Sequence, residues 1–179
     1  MAALSLEFVQ ALHLAIIEQF GEYAQDVLYR SGYEWGLQEM IRLNQQLRED
    51  LGGNFDLWQA EAKFILEAWW EPLVEAGWGR CAFDLAKIAR GIVWVELRGS
   101  VVAAAFPGSD DPVCHIYAGM FGGALSFFER SERHAVEIEC AGARAALCRF
   151  LIAGGAEIDR AETWRQQGTA PAEIAQRLA

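Results

Sequence analysis

The succession of hydrophobic periodicities along the chain predicts an α+β fold. Helical spacing dominates the first 76 residues, two-residue alternation with β-branched side chains appears twice afterwards, and a glycine-rich helical stretch separates those two segments. Composition agrees with a folded chain. With 53% hydrophobic and 12% aromatic residues, seven Trp among them, against 22% charged, 179 residues can bury one large core but are short for two domains.

In the N-terminal segment Phe8, Leu12, Ala15, Ile16 and Phe20 form one helical row, and Trp58, Ala62, Ile65, Trp69 and Leu73 form another. Tyr23 to about Leu47 makes a third helix between them, with Gly32 and Gly36 four apart where a neighbouring element can approach closely. The stretch LGGNFD ends that helix, and its Asp56 is placed to cap the next one. Beyond Gly77, GRCAFDLAKI and GIVWVELRG alternate about a turn-like Ala-Arg-Gly and predict a hairpin. VVAAAF and the polar loop PGSDDP lead into CHIYAGMFGGALSFFER, a helix with the row Cys114, Tyr117, Phe121, Leu125 and Phe128. Pro112 and the two Asp before it suit the helix start. HAVEIEC and ALCRFLI predict a second hairpin around AGARA. From Gly154 the chain turns polar, with Gly168 and Pro171 separating two short helical pieces. We therefore expect a domain over residues 1–155 and a peripheral helical tail over 156–179.

Charge and hydropathy set limits on function. The formal net charge of −10 and the lack of clustered Lys and Arg argue against a nucleic-acid partner. Every apolar run is interrupted by charge before the roughly 18 residues a membrane span needs. The N-terminus MAALSLEFVQALHL has no basic n-region and an early Glu7, which points to a cytoplasmic address. There Cys81, Cys114, Cys140 and Cys148 are expected as reduced thiols or metal ligands and not as disulfides. His13 and His134 read as polar surface residues.

The stretch EIECAGARAALC places a carboxylate and two thiols within twelve residues. Core cysteines, a redox pair and a metal site are all compatible with it, and thiolates favour zinc or iron. Cys140 and Cys148 flank a hairpin turn, Glu137 or Glu139 lies just before, and Cys114 at the start of the preceding helix is a natural fourth ligand. The aromatic set, including Trp58, Trp69, Trp70, Trp94 and Phe106, fits core packing as well as the lining of an apolar pocket.

Two stretches, DPVCHIYAGMFGGALSFF and EIECAGARAALCRF, resemble the vinyl-4-reductase domain family, in the zinc-binding version found in sensor modules of aromatic-responsive activators. The matching spacings are 22 residues between Cys114 and Glu137, two between Glu137 and Cys140, and seven between Cys140 and Cys148. Weaker similarity in FGEYAQDVLYRSGYEWG and ELRGSVVAAAF extends the resemblance over most of residues 20–153. It implies Cys114, Glu137, Cys140 and Cys148 as ligands of a structural zinc and gives Cys81 no counterpart. His115 stands where the sensors tend to have Trp, which makes it a rival ligand and separates this chain from a phenol-type specificity. A closed four-ligand site leaves no position for a reacting water. No dinucleotide fingerprint, iron–sulfur cysteine run or Ser-His-Asp arrangement accompanies it, so an enzyme is not the expected reading. The resemblance implies a binding module for a small apolar, aromatic or tetrapyrrole-related molecule, with Trp69, Trp94, Phe106, Tyr117 and Phe121 as candidate ligand contacts and a homodimer as the assembly. Two alternatives from other classes are an accessory factor in (bacterio)chlorophyll 4-vinyl reduction and a dimeric scaffold akin to vesicle-tethering subunits.

Overall fold

The computed structural model describes residues 5–178; residues 1–4 and 179, the outer ends of the expected domain and tail, lie outside the described residues. Helices α1 (Leu6–Phe20), α2 (Ala24–Leu51) and α3 (Ala62–Glu75) come first. Strands β1 (Arg80–Asp84) and β2 (Val93–Arg98) follow, then the one-turn helix α4 (Val101–Ala105) and the long helix α5 (His115–Glu129). Strands β3 (His134–Glu139) and β4 (Cys148–Ala153) lead to α6 (Gly155–Gln166) and α7 (Pro171–Arg177). The α+β class and both hairpins are as expected. The two hairpins join through β2 and β4 into one antiparallel sheet of order β1-β2-β4-β3. No described helix is long and apolar enough to cross a membrane.

Alternation sends Cys81, Phe83, Val93, Val95, Leu97, Phe150 and Ile152 to one face of the sheet, where they join the main core. Against this face lies α5, with Phe121 stacked edge-on to Phe150 at 5.0 Å. Helix α2 covers the far side of α5. The two helices touch through their backbones: a Cβ placed on Gly32 or Gly36 would overlap the carbonyls of Ile116 and Met120, and one on Gly119 or Gly123 those of Tyr29 and Tyr33. The close approach foreseen at Gly32 and Gly36 is thus met by a second glycine pair four residues apart on α5.

The opposite face of the sheet is covered by α6 and α7. Ile92, Ile138, Leu151, Ala153, Ala161, Ile174 and Leu178 form a second buried cluster there, with Trp94 and Trp164 at its margin. Residues 156–178 are therefore the lid of the sheet's outer layer.

Two local expectations are corrected. Asp56 caps a short 3-10 turn, Leu57–Gln59, by accepting from the Trp58 amide at 3.1 Å, while α3 begins at Ala62. In α1 the buried residues are Val9 and His13, whereas Phe8, Leu12 and Phe20 of the expected row are exposed, Phe8 by 58%. The reason is steric: only α4 and the start of α2 lie beneath α1, so the contact is a narrow strip one residue around the helix from the most apolar row. His13, read as a surface residue, is consequently interior.

Candidate metal centre

The β3–β4 pairing is regular up to Glu137, opposite Phe150, and then shifts so that Glu139 faces Arg149. This bulge at Ile138 breaks the two-residue alternation, so that Glu137 and Cys140, three apart, are both buried on the inner side. Glu139, the other carboxylate open at the sequence level, turns outward and meets Arg149 at 2.8 Å. A tight turn, with Ala143 N–H donating to Cys140 O at 3.0 Å and Arg144 in a left-handed conformation, returns the chain to Cys148. Cys114 is the N-cap of α5, and the glycine contacts with α2 fix where that helix start sits.

These constraints bring Cys114, Glu137, Cys140 and Cys148 together, all buried, with one ligand atom from each lying within 4.8 Å of the others. Cys114 Sγ is 3.7 Å from Cys148 Sγ, and the Cys114 amide donates to Glu137 Oε2 at 2.9 Å. Surrounding donors suit thiolates. The Ala141 amide points at Cys148 Sγ at 3.4 Å, and the Ser100 hydroxyl lies 3.4 Å from Cys114 Sγ while also capping α4. Ser100 was not legible as part of the site; the sequence SVVAA signals a helix cap and nothing more.

The electrostatics describe a cage that needs a cation. Burial, then the neighbouring Cys140, pushes the Glu137 carboxyl up to about 8. Burial, then hydrogen bonds to the other two thiols, pushes Cys114 well above the thiol range. Hydrogen bonds from Cys114 and Cys148 pull Cys140 the other way, so the protein groups alone favour one concentrated negative charge over several. Glu137 Oε1 is a buried acceptor without a hydrogen-bond partner. Three sulfurs, one oxygen and an orphaned carboxylate atom fit a metal ion, and these four residues can hold one. His115, the rival ligand, is outside the cluster and borders clefts with Gln25 and Pro112.

The five aromatic candidates are not brought together. Trp69, Tyr117 and Phe121 belong to one ring cluster with Trp70, Trp78 and Phe150; Tyr117 O–H donates to Trp78 O at 2.6 Å. Trp94 lies across the sheet, in a surface cleft with Ala82, Lys87 and Arg149. Phe106 packs on His13, ring centres 5.6 Å apart, beside a cavity under α1.

Residues 93–153, the span from β2 through β4 that holds all four donors, match the family model of the vinyl-4-reductase (V-4-R) domain. The fold is similar to the phenol-responsive sensory domain of the transcription activator PoxR, with a TM-score of 0.66, 21% identity, and 86% of this chain and 76% of that chain covered. It is also similar to a vinyl-4-reductase family protein from Methanocaldococcus jannaschii, with a TM-score of 0.57, 15% identity, and 85% and 82% covered. A trafficking protein particle complex subunit 3 from Naegleria fowleri has a TM-score of 0.57 at 10% identity, with 83% and 91% covered. Comparison with curated proteins yields no match. The resemblance to the vinyl-4-reductase family is borne out, and at these identities the structural likenesses speak for the fold.

Proposed function

We propose, from the vinyl-4-reductase domain carried over residues 93–153, that this chain is a zinc-stabilised module that binds a small apolar molecule, aromatic or tetrapyrrole-related, as a sensor or carrier in the cytoplasm. The observation that carries the reading is the buried donor set Cys114, Glu137, Cys140 and Cys148. Zinc accepts tetrahedral S₃O coordination, and four protein ligands leave it structural. In that role it ties the start of α5 to both strands of the second hairpin, and Ser100 and the Ala141 amide orient the thiolates. The PoxR domain of like fold, described as phenol-responsive, supports a small-molecule role. Absorbance of the purified protein and a thermal-shift screen of phenols, polycyclic aromatics and porphyrin precursors test it. A stabilising compound or a bound pigment is expected, and a flat screen with colourless protein counts against it.

One further observation favours self-association, which serves the module reading and is the whole content of the scaffold alternative. Leu6, Phe8, Leu12, Leu14, Ile17 and Phe20 of α1 are all exposed. An apolar helix surface of this extent suits burial against a second copy. The trafficking-complex subunit of like fold is consistent with either use. With a net charge of −10 we assign no nucleic-acid partner.

A further inference from the structure

Between α1, the first turns of α2 and the loop over residues 106–113 lies a cavity of ≈ 260 Å³. Ile17, Ala24, Leu28, Phe106 and Val113 give it apolar walls, and His13 is set among them. His13 is 3% exposed. Its Nδ1 lies 2.9 Å from the carbonyl oxygen of Val9. A carbonyl only accepts, so Nδ1 carries the hydrogen and Nε2 is left with a lone pair. Nε2 is buried and has no hydrogen-bond partner. Burial lowers the His13 pKa, which keeps the ring neutral and Nε2 an acceptor at neutral pH. Buried acceptors are nearly always paired, so an orphaned one on the wall of an apolar cavity marks a missing partner.

We propose that this cavity is a binding site for a small neutral apolar molecule that presents one O–H or N–H donor to His13 Nε2. The walls select for apolar bulk, and the single acceptor selects for a donor on one edge. Glu22 and Asp111, exposed at the margin, disfavour anions. The volume corresponds to about nine waters at roughly 30 Å³ each, which suits a ligand of one or two rings. The proposal rests on the reading of the chain as a small-molecule module and names that ligand's site and chemistry. It moves the site away from Trp69, Tyr117 and Phe121, whose rings fill one another's space, and keeps Phe106.

Indole and 1-methylindole test it, since they differ chiefly in the N–H donor. Calorimetric titration of the zinc-loaded full chain should give indole a Kd about tenfold or more below that of 1-methylindole, the difference of one hydrogen bond worth about 1.4 kcal/mol. His13→Phe should remove that preference. Ala24→Leu, which fills the cavity without touching the acceptor, should abolish binding of both. Far-UV circular dichroism and zinc content report whether each variant is folded, and the comparison on the parent chain needs no variant. Equal affinity of the parent for the two compounds, no binding of either at millimolar concentration, or an unchanged preference in His13→Phe overturns the site. A compound from the wider screen that stabilises the parent and both variants alike also overturns it while leaving the module reading intact. A screen flat for the parent overturns both.

Discussion

Replacing Gly119 by Ala tests the contact that sets the metal centre's position. The added Cβ would stand 2.7 Å from Tyr33 N and 2.9 Å from Tyr29 C, with the Tyr29 carbonyl oxygen in its path. Carbon contacts rest at about 3.5–4.0 Å, so the two helices must part by about 1 Å. The neighbour is helix backbone, which cannot rotate aside as a side chain can. Helix α5 has 15 residues. At 1.5 Å per residue it is about 22 Å long, and a slot about 1 Å deep and roughly 10 Å wide along it has a volume near ~220 Å³. At about 24 cal/mol per Å³ of unfilled space this costs about 5 kcal/mol, and about half that if α5 tilts instead of shifting whole. For a chain of this size the melting temperature should fall by roughly 10 °C. Because α5 carries Cys114 at its start, zinc content should fall as well. Urea unfolding with metal analysis is the assay, and Gly53→Ala, with open space around its Cβ, is the control, expected within about 0.5 kcal/mol of the parent. Gly36→Ala combined with Gly119→Ala should cost less than the sum, since helices already parted accept the second methyl. A loss below about 1 kcal/mol for Gly119→Ala, or strict additivity of the pair, refutes the backbone-contact account.

Three other outcomes follow from the site and the surface. Cys148→Ser should lose metal and melt lower, while Cys81→Ser, outside the donor cluster, should keep about one zinc per chain by elemental analysis; equal content in the two sinks the ligand assignment. In metal-free protein the Glu137 carboxyl, raised by burial from 4.5 to about 8, favours the fold when protonated, so that stability is present below pH 4.5 and lost as pH rises through 8. Zinc binding must expel that proton, so chelator competition should show affinity rising between pH 6 and 8 and chelator-treated protein should melt lower at pH 8 than at pH 5; a pH-independent affinity contradicts this. Leu12→Glu, on the exposed face of α1, should convert a dimer to a monomer in light scattering with little change in melting temperature, and a parent already monomeric at micromolar concentration rules out the α1 interface.

Periodicity and spacing alone determined a good deal about this protein. The two hairpins, the helices around Gly32 and Gly119 and the polar break before Gly154 are local patterns, and a backbone with 3.6- or 2-residue repeats expresses them wherever it lies. The spacing of Cys114, Glu137, Cys140 and Cys148 was legible for the same reason, as three of the four sit on one hairpin and the fourth begins the helix before it. What tertiary structure decided is which faces are covered. Nothing within α1 tells that only a narrow strip lies beneath it, so its apolar row stays outside and His13 goes in. The bulge at Ile138 selects Glu137 over Glu139, and it arises from how β3 pairs with β4, which no repeat within either strand encodes. Trp94 and Phe121 look alike as apolar aromatics along the chain; the sheet lies between them, because successive strand residues point to opposite faces and only the packing of α5 on one side and α6 and α7 on the other says what each face meets.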